Sequence, residues 1–424
     1  MKFFLKIVAA LSISLFLSSC AYRTDYIKQE GGRFHEPKDF VVQVDDDGKI
    51  WDKQAAERAV DTIRSSAKSK NTIVLVFVHG WHHNADIDDS NAIKFSESLA
   101  KTRSTLDDAS NGDAGPYTRS RKSLTGDGSL NVIGIYVGWR GRSLPMPLDF
   151  GTFWGRKLAA ERVGQGELNE FLKSINEIYR DRAKARLESS RTPFMGLVTF
   201  GHSFGGQVVF KTVVETIETE LKSNKTGPLQ GFGDLTVLVN PALEAAQYDD
   251  IHQMASLRSY EKSQAPIMLV ISSQGDWARK WLFPLGRLLG STVKRKPEDE
   301  RWPLWGKALG EYTPHRTHVM SVRLGEPVTE QSFDPAEYER SPCTVAQRDL
   351  SAARTFGNVK FTPLDAHTAY SPFIVAYTDN DLVIGHSGVF EDSLRSFIND
   401  YVALTQGKKM VVGGKNVPCK DSAD

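Results

Sequence analysis

The most regular feature of the chain is a series of short, unbroken apolar runs. TIVLVFVHG occupies residues 72–80, NVIGIYV 131–137, FMGLVTF 194–200, LTVLV 235–239 and IMLVI 267–271. Each is rich in β-branched residues and bounded by turn formers, the pattern of a strand buried on both faces. FVVQV at 40–44, followed by the acidic turn DDDGK, predicts a further short strand. Between the runs, apolar residues recur at helical spacing over 51–68, 91–105, 154–182 and 206–222, with Ala55, Ala56, Val60 and Ile63 on one side of the first. Alternating buried strands and helices predict an α/β fold, a mostly parallel sheet with helices on both faces. In such sheets the working groups sit at the carboxyl ends of the strands. Residues 277–340, rich in Trp, Pro, Arg and Lys, interrupt the alternation. They predict either a cap insertion over the site or an ordinary surface excursion.

The amino end departs from this pattern. Lys2 and Lys6 precede an apolar stretch over 7–17, too short for a comfortable membrane span and ending in small residues, as a secretory signal does. Leu17-Ser18-Ser19-Cys20 resembles the lipobox of bacterial lipoproteins. The resemblance implies cleavage before Cys20, lipid on its sulfur and an acylated new amino terminus. Ala21, in place of Asp, implies the outer membrane, with the protein facing the periplasm. Several acyl chains, at about 0.8 kcal/mol per buried methylene, anchor a protein stably. The expected organisation is a signal peptide over 1–19, a tether over 20–39, one α/β domain over 40–407 that includes the interruption at 277–340, and a tail over 408–424. Cys343 and Cys419 then remain. In an oxidising compartment they either pair, stapling the tail to the body, or stay as two thiols.

Charge adds little, with 53 basic against 52 acidic side chains. That balance gives no reason to expect nucleic acid as a partner.

The candidate chemistry begins at FGHSFGG, 200–206. Gly201-His202-Ser203-Phe204-Gly205 fits G-x-S-x-G between a predicted strand and a predicted helix. Small neighbours let the serine backbone adopt a strained turn, and the helix behind it favours a developing anion. A serine hydroxyl needs a base to take its proton. GHSG at 385–388 offers His386 on a loop before a helix that places Phe390, Leu394, Phe397, Ile398 and Tyr401 on one face. Asp276, just past the run PIMLVI, offers the carboxylate. Glu244 and Asp249 are the alternative acids and His367 the alternative base. With HGW at 79–81, these segments resemble the α/β-hydrolase superfamily, serine esterases and lipases in particular. The resemblance implies an α/β-hydrolase fold, a Ser203–His386–Asp276 triad, and an oxyanion hole formed by the N–H groups of Phe204 and Trp81. It covers roughly 72–404, less the interruption after Asp276.

His79, His82 and His83 show no H-E-x-x-H or H-x-x-E-H pattern, so no metal is expected, and no cofactor. His79 is expected to pack or hydrogen-bond beneath the loop. His82 and His83 are expected to line the substrate entrance or hold the loop. Trp139, Arg140 and Arg142 end another strand and either contact substrate or serve as loop packing and a solvated basic patch. The expected activity is hydrolysis of a carboxylic ester, with an ester or lipid as substrate and the membrane as partner through the lipid anchor. Thioesterase or amidase action, or a catalytically idle binding or scaffold lipoprotein, are the competing readings.

Overall fold

The computed structural model describes residues 39–86, 88–108, 130–141, 153–189, 191–223, 227–261, 264–275, 302–322, 353–356, 358–365 and 368–411. Along the chain run β1 (Phe40–Gln43), α1 (Lys53–Ser69), β2 (Asn71–Val78), α2 (Ser90–Asp108), β3 (Leu130–Gly138), α3 (Phe153–Val163) and α4 (Glu167–Glu188). There follow β4 (Met195–His202), α5 (Phe204–Ser223), β5 (Leu235–Val239), α6 (Ala245–Ser256), β6 (Met268–Ser273) and α7 (Trp302–Gly306). Last come β7 (His318–Val322), β8 (Arg354–Phe356), β9 (Val359–Pro363), β10 (Phe373–Thr378) and α8 (Asp392–Val411).

The strands form one ten-stranded sheet in the order β1-β3-β2-β4-β5-β6-β10-β7-β9-β8. Neighbours pair in parallel from β1 through β7, and β9 alone runs against the rest. Every unbroken apolar run thus became a parallel strand, as burial on both faces requires. The two faces separate cleanly along β2 and β3. Val74, Val76 and Val78 with Ile133, Ile135 and Val137 join the core built on α1, α3, α4, α5 and α6. Phe77, Val132 and Tyr136 point the other way, onto Phe95 and Leu99 of α2. Further along that second face, Val237, Ile271 and Ile374 pack on Leu394, Phe397 and Tyr401 of α8. Among the described residues, no helix is long and apolar enough to cross a membrane.

Two expectations change. The helical stretch at 154–182 is two helices, α3 and α4, separated at Gly164-Gln165-Gly166. A β-carbon on Gly164 would lie 2.7 Å from the Val208 carbonyl oxygen, and one on Gly166 2.7 Å from Gly48 Cα. Two backbone close approaches therefore fix the break, and glycine alone permits them. The interruption at 277–340 is not wholly an excursion or cap either. Within it, α7 packs on α6, and β7 enters the main sheet beside β10, where it also pairs with β9. Residues 276–301 and 323–352 lie outside the described residues. Strands β7 and β9 alternate buried and half-exposed positions rather than presenting a continuous apolar run, so their composition does not announce them.

Candidate active site

The sheet order reverses at β2: β3 lies on one side of it and β4 on the other. Such a switch point opens a crevice at the carboxyl ends of the two strands. Ser203 stands there, between the last residue of β4 and the first of α5. Its φ is +56°, a left-handed conformation that costs a non-glycine residue about 1–2 kcal/mol. Three backbone hydrogen bonds hold it. Ser203 N–H donates to Val239 O at 3.0 Å, while its carbonyl accepts from Ala242 N at 3.0 Å and Gln207 N at 3.3 Å. The neighbouring glycines are steric requirements. A β-carbon on Gly205 would meet His79 O at 2.5 Å, one on Gly201 would meet Gly205 O at 2.6 Å, and one on Gly206 would meet Pro241 Cβ at 2.9 Å.

His386 reaches Ser203 from the loop between β10 and α8. Its Nε2 lies 2.8 Å from Ser203 Oγ, the only sequence-expected partner placed at hydrogen-bond distance from the hydroxyl among the described residues. The loop turns at Gly385, with φ +61°. Two residues that the motif left without a role hold it. His202, the variable position of G-x-S-x-G, donates from Nε2 to the His386 carbonyl at 2.8 Å. Asn240, at the end of β5, donates from Nδ2 to the same carbonyl at 3.2 Å and to that of Gly385 at 3.3 Å. Asn240 Oδ1 accepts from Ser273 N–H at 2.8 Å, and its φ of +46° suits Asn, which tolerates the left-handed region. The sequence signal for Asn240 was an Asn-Pro pair closing a buried run, a strand-end turn.

Asp276 and His367 lie outside the described residues, as do Cys20, Arg142, Cys343 and Cys419. Gly275, the residue before Asp276, packs against Asn380 in the loop that carries His386. Asn380 Oδ1 accepts from Gly385 N–H at 2.7 Å, and Gln274 N–H donates to Thr378 O at 2.7 Å. The alternative acids are committed elsewhere. Glu244 is buried and accepts from Lys157 Nζ at 2.8 Å, and Asp249 bonds His315 Nε2 at 3.1 Å.

The HGW loop closes the other side of the crevice. A β-carbon on Gly80 would fall 2.7 Å from Ser203 Cβ, so the loop backbone lies directly against the serine. His79 is fully buried beneath it. Nδ1 faces Gly80 O at 2.9 Å and Nε2 accepts from Trp139 N–H at 2.9 Å, which fixes the neutral Nδ1–H tautomer. Burial lowers its pKa to about 4, against the opposing pull of Asp89. Trp139 donates from Nε1 to His79 O at 2.9 Å and stacks parallel to the imidazole, which makes it loop packing. Arg140 is buried with Arg156 around Asp46, so it is not a solvated patch.

Trp81 is buried among Phe153 and Phe204, and the His82 ring lies over it at 3.9 Å. His82 has φ +73°. His83 Nδ1 bonds Asp89 Oδ2 at 3.1 Å, the geometry of a loop anchor. Burial pushes the Asp89 carboxyl up, but the hydrogen bond and charge of His83, the charge of His79 and the Asn91 N–H together leave its pKa below the ordinary value. Asp89 also caps α2 through Asn91 N–H at 2.8 Å. Phe204 opens α5, so its N–H belongs to the first turn, where helix donors have no partner within the helix. Among the described residues, no group of three or more His, Cys, Asp or Glu side chains is gathered to hold a metal ion.

The arrangement is a strained serine at a switch point, an imidazole within its reach, a glycine loop against it and a helix amino end behind it. Comparison with protein-family models, curated proteins and solved structures finds no match to the chain.

Proposed function

We propose that the protein is a serine hydrolase that cleaves carboxylic esters through an acyl-enzyme. The observation that carries this reading is the 2.8 Å approach of His386 Nε2 to the hydroxyl of a serine held at φ +56°. Strain at a functional turn persists where the surroundings over-determine it, and here the hydrogen bonds and glycines around Ser203 do so. In the proposed reaction, Ser203 Oγ gives its proton to His386 Nε2 and attacks the ester carbonyl. The oxyanion forms against the N–H groups of Phe204 and Trp81, each donor supplying roughly 3–4 kcal/mol in comparable sites. The imidazolium then protonates the departing alcohol. A water activated by His386 hydrolyses the acyl-serine and releases the acid. Asp276 is assigned to the His386 Nδ1–H, where it would fix the tautomer and stabilise the imidazolium. Its place in the chain, one residue beyond the point where Gly275 meets the His386 loop, supports that assignment.

An α/β-hydrolase fold is the matching proposal for the architecture. HGW, GHSFG and the histidine loop follow separate parallel strands, in the chain order serine, acid, histidine. Thioesters and amides would pass through the same intermediates. An idle scaffold would have no need of a strained serine beside an imidazole. The lipobox-like leader supports attachment to the bacterial envelope through lipid on Cys20, and an ester or lipid substrate met there.

A fluorophosphonate probe tests the reading. It is expected to label the wild-type protein and to leave Ser203→Ala unlabelled. His386→Ala is expected to lower kcat for a short p-nitrophenyl ester by a factor on the order of 10⁴ to 10⁶. Failure of the folded wild-type protein to react would refute it.

A further inference from the structure

We propose that His202 and Asn240 are positioning residues for His386: their two donors clamp its carbonyl and so hold its imidazole over Ser203. The proposal rests on the hydrolase reading for its catalytic consequence, but the clamp itself is geometric. His386 sits on a loop that begins after β10 with Asp379-Asn380-Asp381 and bends at Gly385. Loops of this kind are the least rigid parts of a parallel-sheet protein. A general base on such a loop loses rate steeply if it drifts, since a 1 Å misplacement costs about a hundredfold.

The geometry answers that problem from below. The His386 carbonyl oxygen receives His202 Nε2–H at 2.8 Å and Asn240 Nδ2–H at 3.2 Å, and both donors are buried. Fixing that oxygen fixes the peptide plane following His386 and restricts the swing of its side chain. The donors stand on rigid ground. His202 is the last residue of β4, and Asn240 follows β5 directly, with its own N–H donating to Ile271 O at 2.8 Å. Asn240 Oδ1 is itself fixed by Ser273 N–H, so its amide cannot turn over without losing that bond. Ser273 adds a third tie, donating from Oγ to Val383 O at 2.8 Å. Three adjoining strand ends, β4, β5 and β6, therefore grip one loop. Because His202 also precedes Ser203, the nucleophile and the base share one rigid support.

The carbonyl acceptor requires a proton on His202 Nε2, and this dictates the informative variants. His202→Gln keeps a donor at the same reach, whereas His202→Leu removes it. Asn240→Asp keeps the acceptor for Ser273 N–H and the tolerance of positive φ, but turns the donor into an oxygen facing two carbonyls.

Full-length wild type, Ser203→Ala and these three variants are to be compared by p-nitrophenyl acetate hydrolysis and by amide hydrogen exchange over residues 379–388. We expect His202→Leu and Asn240→Asp to lower kcat about 10–100-fold, with KM within about twofold of wild type. Exchange of the loop should speed up about tenfold or more in both. His202→Gln should recover both readouts. Wild-type exchange or wild-type kcat in both donor-deleting variants overturns the clamp, as does an effect confined to KM. So does His202→Gln behaving like His202→Leu. If His202→Leu does not fold, Asn240→Asp and His202→Gln decide the same question. Turnover by wild type that survives in Ser203→Ala, or no turnover at all, overturns the hydrolase reading. Loop exchange alone then decides the clamp.

Discussion

His79 shows how a single residue of the HGW segment serves the fold from beneath its loop. Its imidazole is buried, neutral and bonded at both nitrogens, to Gly80 O and Trp139 N–H, so it ties the ends of β2 and β3 together beneath the HGW loop. Burial, its largest influence, lowers the folded-state pKa from 6.5 to about 4. The unfolded chain therefore binds more protons than the folded one between those values, and stability must fall as pH drops through that window. For one such histidine the loss between pH 7 and pH 5 is about 2 kcal/mol. His315, also lowered to about 4 by burial and by the neighbouring His252, acts in the same direction. Urea unfolding at the two pH values is expected to show this loss, and His79→Gln is expected to reduce its pH dependence while lowering stability at pH 7. An unchanged pH dependence in His79→Gln would show that His79 titrates normally. HGW marked the loop in the sequence. The tautomer depended on Trp139, a residue 60 positions away that only the fold brings near.

At the scale of elements, α3 is turned against its own composition. Lys157 is buried while Leu158 is 54% exposed. Side-chain polarity alone would have placed them the other way round. The reason is a partner on another element: Lys157 Nζ lies 2.8 Å from Glu244 Oε1, just before α6, and 3.3 Å from Glu161. Gln207, one turn into α5 from Ser203, donates to the same Glu161 at 2.8 Å. The pair thus links α3 and α6 beside the helix that carries the serine. Removing Lys157 leaves the Glu244 carboxylate buried without its countercharge, so Lys157→Met is expected to destabilise the protein by about 3–5 kcal/mol. Lys157→Met combined with Glu244→Leu should regain most of that in urea unfolding, because a buried pair replaced by apolar groups is close to neutral. A single variant as stable as wild type would mean that the pair contributes nothing. The same partnership explains why Glu244, a reasonable acid on sequence position, is not held ready for His386.

For the whole molecule, the sheet brings the working residues together and the leader would set where they operate. The proposed lipid anchor makes a direct prediction. Wild type should sediment with membranes and incorporate radiolabelled palmitate, whereas Cys20→Ala should incorporate none, with Ser203-dependent hydrolysis unchanged per folded molecule. Labelling of Cys20→Ala would remove the anchor from the proposal. The strand order turns segments scattered over three hundred residues into one crevice. Gly80 follows β2, Ser203 follows β4, Asn240 follows β5, and His386 comes from the loop beyond β10.

The parallel core strands and most of their helices were legible because burial on both faces leaves unbroken apolar runs, and the helices between them carry a 3.6-residue period. Strands β7 and β9 were not, since a short segment that mixes buried and exposed positions resembles a polar loop. The break between α3 and α4 was also hidden, because two glycines in a helical stretch do not reveal which distant backbones approach them. The serine and its histidine were legible as a motif and an ordered candidate. Their 2.8 Å separation was not, nor were the donors from His202 and Asn240 that hold the histidine loop. By itself the sequence determined which residues can carry charge, strain or a proton, because those are properties of side chains and short spacings. Which of them meet was decided only by the tertiary structure, because hydrogen bonds across 146 and 184 positions depend on the strand order that brings their ends side by side.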